Sequence, residues 1–314
     1  MQDLIKEIIE QSTGYKVLPE EIVLGSPVYQ IIKKYCDGII KRECEHAGYE
    51  GRIEFFFLID DHIDGISLEV QGVRCVCLTT GTLDVIPWVI YKFGEEEDFF
   101  KEYNSDAPVE TVIQELISYS VLLMILHELG HVFQGHIQYL SHGMETPQLM
   151  MSSKREHLCG KADNILAALE YAADVYAAEY MSEIFLVSCS SKQLLYSRMR
   201  NLYGAIVTLQ MILAVFNKTE EIENPVLHTP ERINEVFARA LVETLEFHIP
   251  EADITEMIKN VYTAIAHGVY RLTKVKSQDV VNFQKNCDTD KMAALEETWQ
   301  KIRSDVLKFS IWGE

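Results

Sequence analysis

The chain has 314 residues, of which 48% are hydrophobic, and it carries a formal net charge of −20 at pH 7. This acidity argues against a partner that is itself anionic, such as nucleic acid or an acidic membrane surface. The hydrophobic fraction is large enough for a sizeable core. The seven cysteines are an odd number with scattered spacing, which indicates a reducing compartment, so we expect a cytoplasmic protein.

The predicted elements begin with an amphipathic helix over residues 1–14. A longer helix is predicted over residues 27–48, where apolar side chains recur with a period of 3.6. Three strands follow, rich in aromatic and β-branched residues, at positions 53–59, 66–70 and 73–79. Three strands ahead of a long helical region predict a small sheet at the N-terminal end.

Beyond the strands the chain is predicted to be mostly helical. An exception is residues 141–156, where glycine, proline and serine interrupt the helical period and predict a loop. Helical patterns lie at residues 121–140, 166–180, 192–216, 230–246, 254–272 and 292–311. We therefore predict an α+β fold in a single domain over residues 1–314. Its parts are a sheet-bearing part (about 1–107), central helices (about 108–190) and a helical C-terminal cap (about 191–314).

Two apolar runs bear on whether the chain crosses a membrane. Residues 121–126 end at His127, and residues 205–216 are interrupted by polar side chains. Both fall short of the roughly 20 residues that a membrane-spanning helix needs. Residues 1–14 also lack the basic start and apolar centre of a signal peptide. We therefore predict no membrane span.

Residues 127–131 read His-Glu-Leu-Gly-His, the pattern H-E-x-x-H, within a helix predicted to be buried. Because residues four apart share one helix face, His127 and His131 can present both imidazoles to a single point. Zn²⁺ accepts imidazole nitrogen, and a catalytic zinc site uses three protein ligands and a water. The motif therefore predicts that His127 and His131 bind zinc and that Glu128 is the general base for the zinc-bound water.

A later helix, predicted over Leu166 to Tyr180, offers a third zinc ligand. Its many alanines leave a slim surface that another helix can approach closely. Glu170 and Asp174 are four apart and therefore on one face of this helix. We predict that Glu170 completes a two-histidine, one-glutamate site, and that Asp174 accepts the spare N–H of a ligand histidine. The alternative is an ordinary solvated acidic pair.

These two motifs resemble those of the gluzincin zinc metallopeptidases, in which H-E-x-x-H is followed by E-x-x-x-D on a later helix. Residues 169–177 are similar to the E-x-x-A-D-x-x-A segment of the prenyl-protein and HtpX-type peptidases, and the chain also resembles the soluble Lit-type phage-exclusion peptidases. The resemblance implies a zincin-like core, a protein or peptide substrate added as a strand at one sheet edge, and a role in bacterial phage defence.

Residues 228–238 are similar to the H-P-x-x-x-R-I segment of the same peptidases, although Thr229 stands before Pro230. The resemblance implies that His228 lies near the zinc, where its imidazole would donate a hydrogen bond to the oxyanion. It also implies that Arg232 pairs with a carboxylate and holds the segment against the active helix. The alternative is that His228 is a solvated loop residue before a helix.

Other metal-binding residue types are interpreted as structural. Cys75 and Cys77 alternate along a predicted strand without a second cysteine pair nearby, so we predict that they are core residues. His136, on the active helix or just past it, is predicted not to bind metal, and so are His142 and His157 at the predicted loop.

The motifs together predict a cytoplasmic zinc endopeptidase that hydrolyses a protein substrate. Two alternatives stay open. One is a catalytically silent zinc-binding protein that regulates or binds a partner, although such a protein does not need the base Glu128. The other is a helical protein without metal, in which His127 and Glu128 are polar groups paired internally.

Overall fold

The computed structural model describes residues 2–95, 99, 103, 107–143, 148–150, 161–186, 189–216, 256–265, 268 and 289–313. The predicted helix at 230–246 lies outside these residues. Of the helix predicted at 254–272, residues 256–265 are described and are helical.

Five strands form one mixed sheet: β1 (Lys16–Val17), β2 (Arg52–Ile59), β3 (Gly65–Val70), β4 (Val73–Thr79) and β5 (Gln148–Met150). Their order across the sheet is β1-β2-β4-β3-β5. Strands β2 and β4 are parallel, and the other neighbouring pairs are antiparallel. Strand β3 therefore lies between β4 and β5, with Ser67 opposite Leu149.

Helices make up most of the remaining described chain: α1 (Gln2–Thr13), α2 (Glu20–Gly25), α3 (Pro27–Ala47), α4 (Thr80–Gly94), α5 (Val109–Phe133), α6 (His136–Gly143), α7 (Lys161–Phe185), α8 (Lys192–Phe216) and α9 (Thr289–Leu307). The α+β fold predicted from the sequence is confirmed. The division into three parts stays a prediction.

The sheet is buried on both faces, and successive strand residues point to opposite sides of it. Phe57 of β2 belongs to the large core formed with the helices, whereas Phe56 packs in a smaller core with Ile9 of α1. Cys75 and Cys77 of β4 lie in the smaller core with no exposed surface, as the alternation along the strand predicted. The long helices therefore pack on the opposite face of the sheet, the one that carries Phe57.

Helix α5 is the centre of the large core. Every residue from Tyr119 to Phe133 is buried, and the helix contacts α4, α7, α8, β3 and β4. A helix that is apolar on all sides is typical of a protein interior or a membrane. By length and composition α5 could cross a membrane, and 56% of its most apolar window is buried within the protein. In the sequence, the apolar run was limited to residues 121–126 because Ser118 and Ser120 precede it. Both serines lie within α5, so the helix is longer than that run indicated. The predicted absence of a membrane span stays a prediction.

The end of α5 is held by β4 and by the C-terminal segment. The buried guanidinium of Arg74 donates hydrogen bonds of 2.8 Å to the carbonyl oxygens of Val132 and Phe309. The Ile311 N–H donates to the Phe133 carbonyl over 2.8 Å. The bonds to Val132 and Phe133 satisfy carbonyls of the last turn of α5, which have no partner within the helix.

The loop predicted at 141–156 is wrong in part. Helix α6 continues to Gly143, and β5 occupies 148–150. The signal for β5 is missing from the sequence because a three-residue strand is too short to establish an alternating pattern. The remaining residues of the predicted loop lie outside the described part of the chain.

Candidate metal centre

Close packing of α5 on α7 brings the predicted ligands together. A Cβ atom built on Gly130 would lie 3.2 Å from Ala173 Cα and 3.1 Å from Tyr176 Cδ1. The absence of a side chain on Gly130 lets the two helix backbones approach closely. The histidine face of α5 therefore meets the carboxylate face of α7.

Donor atoms of His127, His131 and Glu170 all lie within 4.8 Å of one another. The two Nε2 atoms are 3.0 Å apart. Glu170 Oε2 is 3.2 Å from His127 Nε2 and 3.7 Å from His131 Nε2. The exposed fraction is 1% for each histidine and 0% for Glu170. Three potential ligands from two helices thus converge on one buried point.

Asp174 lies behind His127, on the side away from this point. Its Oδ1 atom is 2.7 Å from His127 Nδ1, and its exposed fraction is 2%. A carboxylate in this position accepts the Nδ1–H and leaves Nε2 facing His131 and Glu170. Because Glu170 and Asp174 are both buried, they are not a solvated acidic pair, and the role of Asp174 toward a metal ligand stays a prediction.

The carboxylates control the charge of His127. Burial lowers the pKa of His127, but Asp174 and Glu170 outweigh that effect and raise the pKa from 6.5 to about 10. In the metal-free protein at pH 7, His127 is therefore protonated on both nitrogens. A metal ion has to displace the Nε2 proton, so metal binding is coupled to proton release.

Zn²⁺ fits this set of residues. Glu128 of α5 and Glu170 and Asp174 of α7 are three carboxylates of two packed helices, and none is more than 2% exposed. Buried charges are costly unless they are paired or bind a metal. A divalent cation would offset two of these charges, and two imidazole nitrogens with one carboxylate oxygen are a donor set that zinc prefers.

The Glu128 side chain points toward the sheet, against β3. Ser67 Oγ donates toward Glu128 Oε2 at 2.5 Å and lies 2.9 Å from the Glu128 carbonyl oxygen. Gly65 leaves room for this side chain, because a Cβ there would lie 2.8 Å from Glu128 Cγ and Oε1. Sequence reasoning missed Ser67. Its signal is a hydroxyl at a fully buried position of an apolar strand.

His136 also reaches the centre, which the sequence did not indicate. Helix α5 ends after Phe133, and Gly135 has a φ of 79°, a left-handed conformation that favours glycine. The turn brings His136 Nδ1 to 2.8 Å from His131 Nδ1. Burial and the neighbouring His131 hold the pKa of His136 well below its ordinary value.

The other residues singled out in the sequence are not part of the described centre. His228 and Arg232 lie outside the described residues, so their roles stay predictions. His157 also lies outside them. His142 is exposed on α6, where its Nδ1 contacts the Gln138 carbonyl oxygen at 2.8 Å.

Comparison with known proteins gave no match: no family model, no curated protein and no solved structure matches this chain.

Proposed function

We propose that this protein is a zinc-dependent endopeptidase that binds the metal through His127, His131 and Glu170. The observation that carries the proposal is the composition of the centre. Among the described residues it offers three ligands, not four, and Glu128, the glutamate of the H-E-x-x-H pattern, directly follows the first of them in α5. Structural zinc sites usually have four protein ligands, whereas catalytic sites keep one position for water or substrate.

The chemistry is hydrolysis of a peptide bond. Zinc, when bound, supplies a Lewis acid that lowers the pKa of water and polarises the scissile carbonyl. Glu128 takes a proton from the attacking water as the new C–O bond forms. It then delivers that proton to the leaving amine nitrogen as the C–N bond breaks. The hydrogen bond from Ser67 fixes the carboxylate during both transfers.

Strand β5 constrains how an extended substrate can bind. Ser67 lies on β3, and both edges of β3 are paired, one with β4 and the other with β5. A peptide that adds to the sheet on the β5 side must pair with β5 itself or replace it. The substrate expected from the resemblance therefore does not meet β3 directly while β5 is in place.

The test of this function is the substitution Glu128→Gln. An amide cannot accept the water's proton, so turnover should be lost while zinc content and fold are kept. Because the substrate is unknown, the measurement compares cleaved protein termini in cells that express the wild type or the variant. Glu110→Gln is the matched control, since Glu110 is an exposed glutamate at the start of the same helix.

Cleavage products should be absent from cells that express Glu128→Gln and present at wild-type levels in cells that express Glu110→Gln. Identical termini in wild-type and Glu128→Gln cells, with both proteins folded and loaded with zinc, would reject the peptidase mechanism.

A second function, a zinc-binding regulatory protein without turnover, is favoured by one observation. His127, Glu128 and His131 are each 1% exposed and Glu170 is fully buried, so a substrate has no open route to them among the described residues. This function predicts that zinc stabilises the fold and that Glu128→Gln changes no protein termini. The same experiment therefore separates the two functions.

A further inference from the structure

The two ligand histidines are held by different kinds of partner. His127 Nδ1 contacts the carboxylate of Asp174, whereas His131 Nδ1 contacts another imidazole, that of His136, over 2.8 Å. The His136 ring lies on the far side of His131 from Glu170, so it is not a fourth ligand in this arrangement. Its exposed fraction is 0%.

The direction of this hydrogen bond follows from the metal. Two neutral imidazole nitrogens can approach to 2.8 Å only if one donates and the other accepts. When His131 binds a metal through Nε2, that nitrogen uses its lone pair and the ring proton must be on Nδ1. His131 Nδ1–H then donates to His136 Nδ1. His136 therefore has to be the neutral tautomer with its proton on Nε2.

The tautomer with the proton on Nε2 is energetically unfavourable at this position. This indicates that the contact of His136 with His131 has a function. His136 Nε2 is buried, and within the described chain it has no hydrogen-bond partner. Its ring lies instead edge to face with Trp299, with 5.6 Å between centroids. A buried N–H without an acceptor destabilises the fold, so an apolar side chain would be more favourable for packing alone.

We propose that His136 is a positioning residue that fixes the ring of His131 by accepting its Nδ1–H. The inference rests on the metal-binding part of the proposed function and not on peptidase turnover. A neutral acceptor has a consequence that a carboxylate would not have. It orients His131 without adding a further negative charge to a centre that already contains the carboxylates of Glu170 and Asp174.

The backbone supports the same role. Gly135 comes directly before His136 in the chain. Its left-handed conformation turns α6 back toward α5, which carries His131. A Cβ on Gly135 would lie 2.4 Å from the Phe309 carbonyl carbon, so close packing also requires glycine here. On an unbroken helix, residues five apart point about 140° away from each other, and the two rings would not meet.

The test compares two substitutions at one position. His136→Leu removes the acceptor and should weaken zinc binding by about 10- to 100-fold. His136→Asn can place its Oδ1 where Nδ1 lies, so its zinc affinity should stay within about 3-fold of the wild type. His62→Leu is the matched control, because His62 is an exposed histidine between β2 and β3.

The measurements are zinc affinity by competition with a chelator and the visible absorption of the cobalt-substituted protein. The cobalt spectrum reports ligand geometry, so it should change in His136→Leu and be retained in His136→Asn. Urea unfolding of the metal-free variants shows whether a loss of binding is merely a loss of fold.

Three outcomes would overturn the inference. Wild-type zinc affinity and an unchanged cobalt spectrum in His136→Leu would remove His136 from the centre and leave the proposed function intact. Equal losses in the Leu and Asn variants would assign His136 to packing alone. A wild-type protein that binds neither zinc nor cobalt would reject the metal site and this inference together.

Discussion

Asp174 and His127 lie 47 positions apart in the chain, yet their Oδ1 and Nδ1 atoms are 2.7 Å apart. Like the contact between Glu170 and His127, this pair joins α5 to α7. It fixes the plane of the His127 ring, so that Nε2 faces His131. Asp174 therefore determines the direction of His127, one of the three proposed ligands.

Asp174→Asn should weaken zinc binding by about 10- to 100-fold, because the amide accepts the Nδ1–H less strongly than a carboxylate does. Chelator competition measures the affinity. Glu179→Gln, an exposed change on the same helix, is the control and should have wild-type affinity. An unchanged affinity in Asp174→Asn would remove this residue from the centre.

The wild-type protein should contain about one zinc ion per chain. Changing His127, His131 or Glu170 to alanine removes one of three ligands and should abolish stoichiometric binding at limiting metal. Elemental analysis after dialysis gives the content. His62→Ala is the matched control, since His62 is an exposed histidine whose side chain is 55% accessible. Full occupancy in Glu170→Ala would show that the third ligand is wrongly assigned.

The stability of the metal-free protein should fall as the pH rises. The pKa of His127 is raised from 6.5 to about 10 in the folded protein, so its charged form stabilises the fold. That contribution is complete below pH 6.5, declines between pH 6.5 and 10, and is absent above about 10. Urea unfolding of the metal-free protein at several pH values measures it. Other groups titrate in this range, so the comparison is with His127→Gln, whose stability should depend less on pH.

The same proton makes zinc affinity depend on pH in the opposite direction. Zinc must displace it from His127, so the affinity should increase between pH 6.5 and 10 and binding at pH 7 should release a proton. Calorimetry in buffers of different ionisation enthalpy counts the released protons. Binding without proton release would contradict the charged state assigned to His127.

Gly130→Val should weaken both the fold and the metal site. The added atoms meet the Ala173 backbone and Tyr176, so α5 and α7 must move apart at a cost of about 1–3 kcal/mol. Zinc affinity should fall in parallel, because the ligands come from both helices. Gly38→Val is the matched control, since a Cβ at this exposed helical glycine meets nothing within 4 Å. Equal stability losses in the two variants would mean that the crossing is not tightly packed.

Much of the centre is predictable from sequence because it depends on positions within single helices. His127 and His131 share a face through their spacing, as do Glu170 and Asp174. The bounds of α8 were predicted for the same reason, from a long uninterrupted helical pattern. These features need no knowledge of how distant segments meet.

The parts that were missed depend on tertiary contacts. Ser67 reaches Glu128 because β3 packs against α5, and the two residues are 61 positions apart. His136 reaches His131 because the chain reverses at Gly135. A spacing of five gave no reason to expect that contact, since residues five apart do not share a helix face.

If the proposed centre binds zinc, the hydrogen bonds of Arg74 and Ile311 to the last turn of α5 couple the C-terminal segment to that binding. Residues 309–311 contact the same helix end that carries His131 and precedes His136. Linkage between two such sites is reciprocal, so zinc should strengthen the attachment of this segment by the same factor by which the segment strengthens zinc binding. Slower amide exchange of Ile311 on zinc addition would measure that coupling without any substrate.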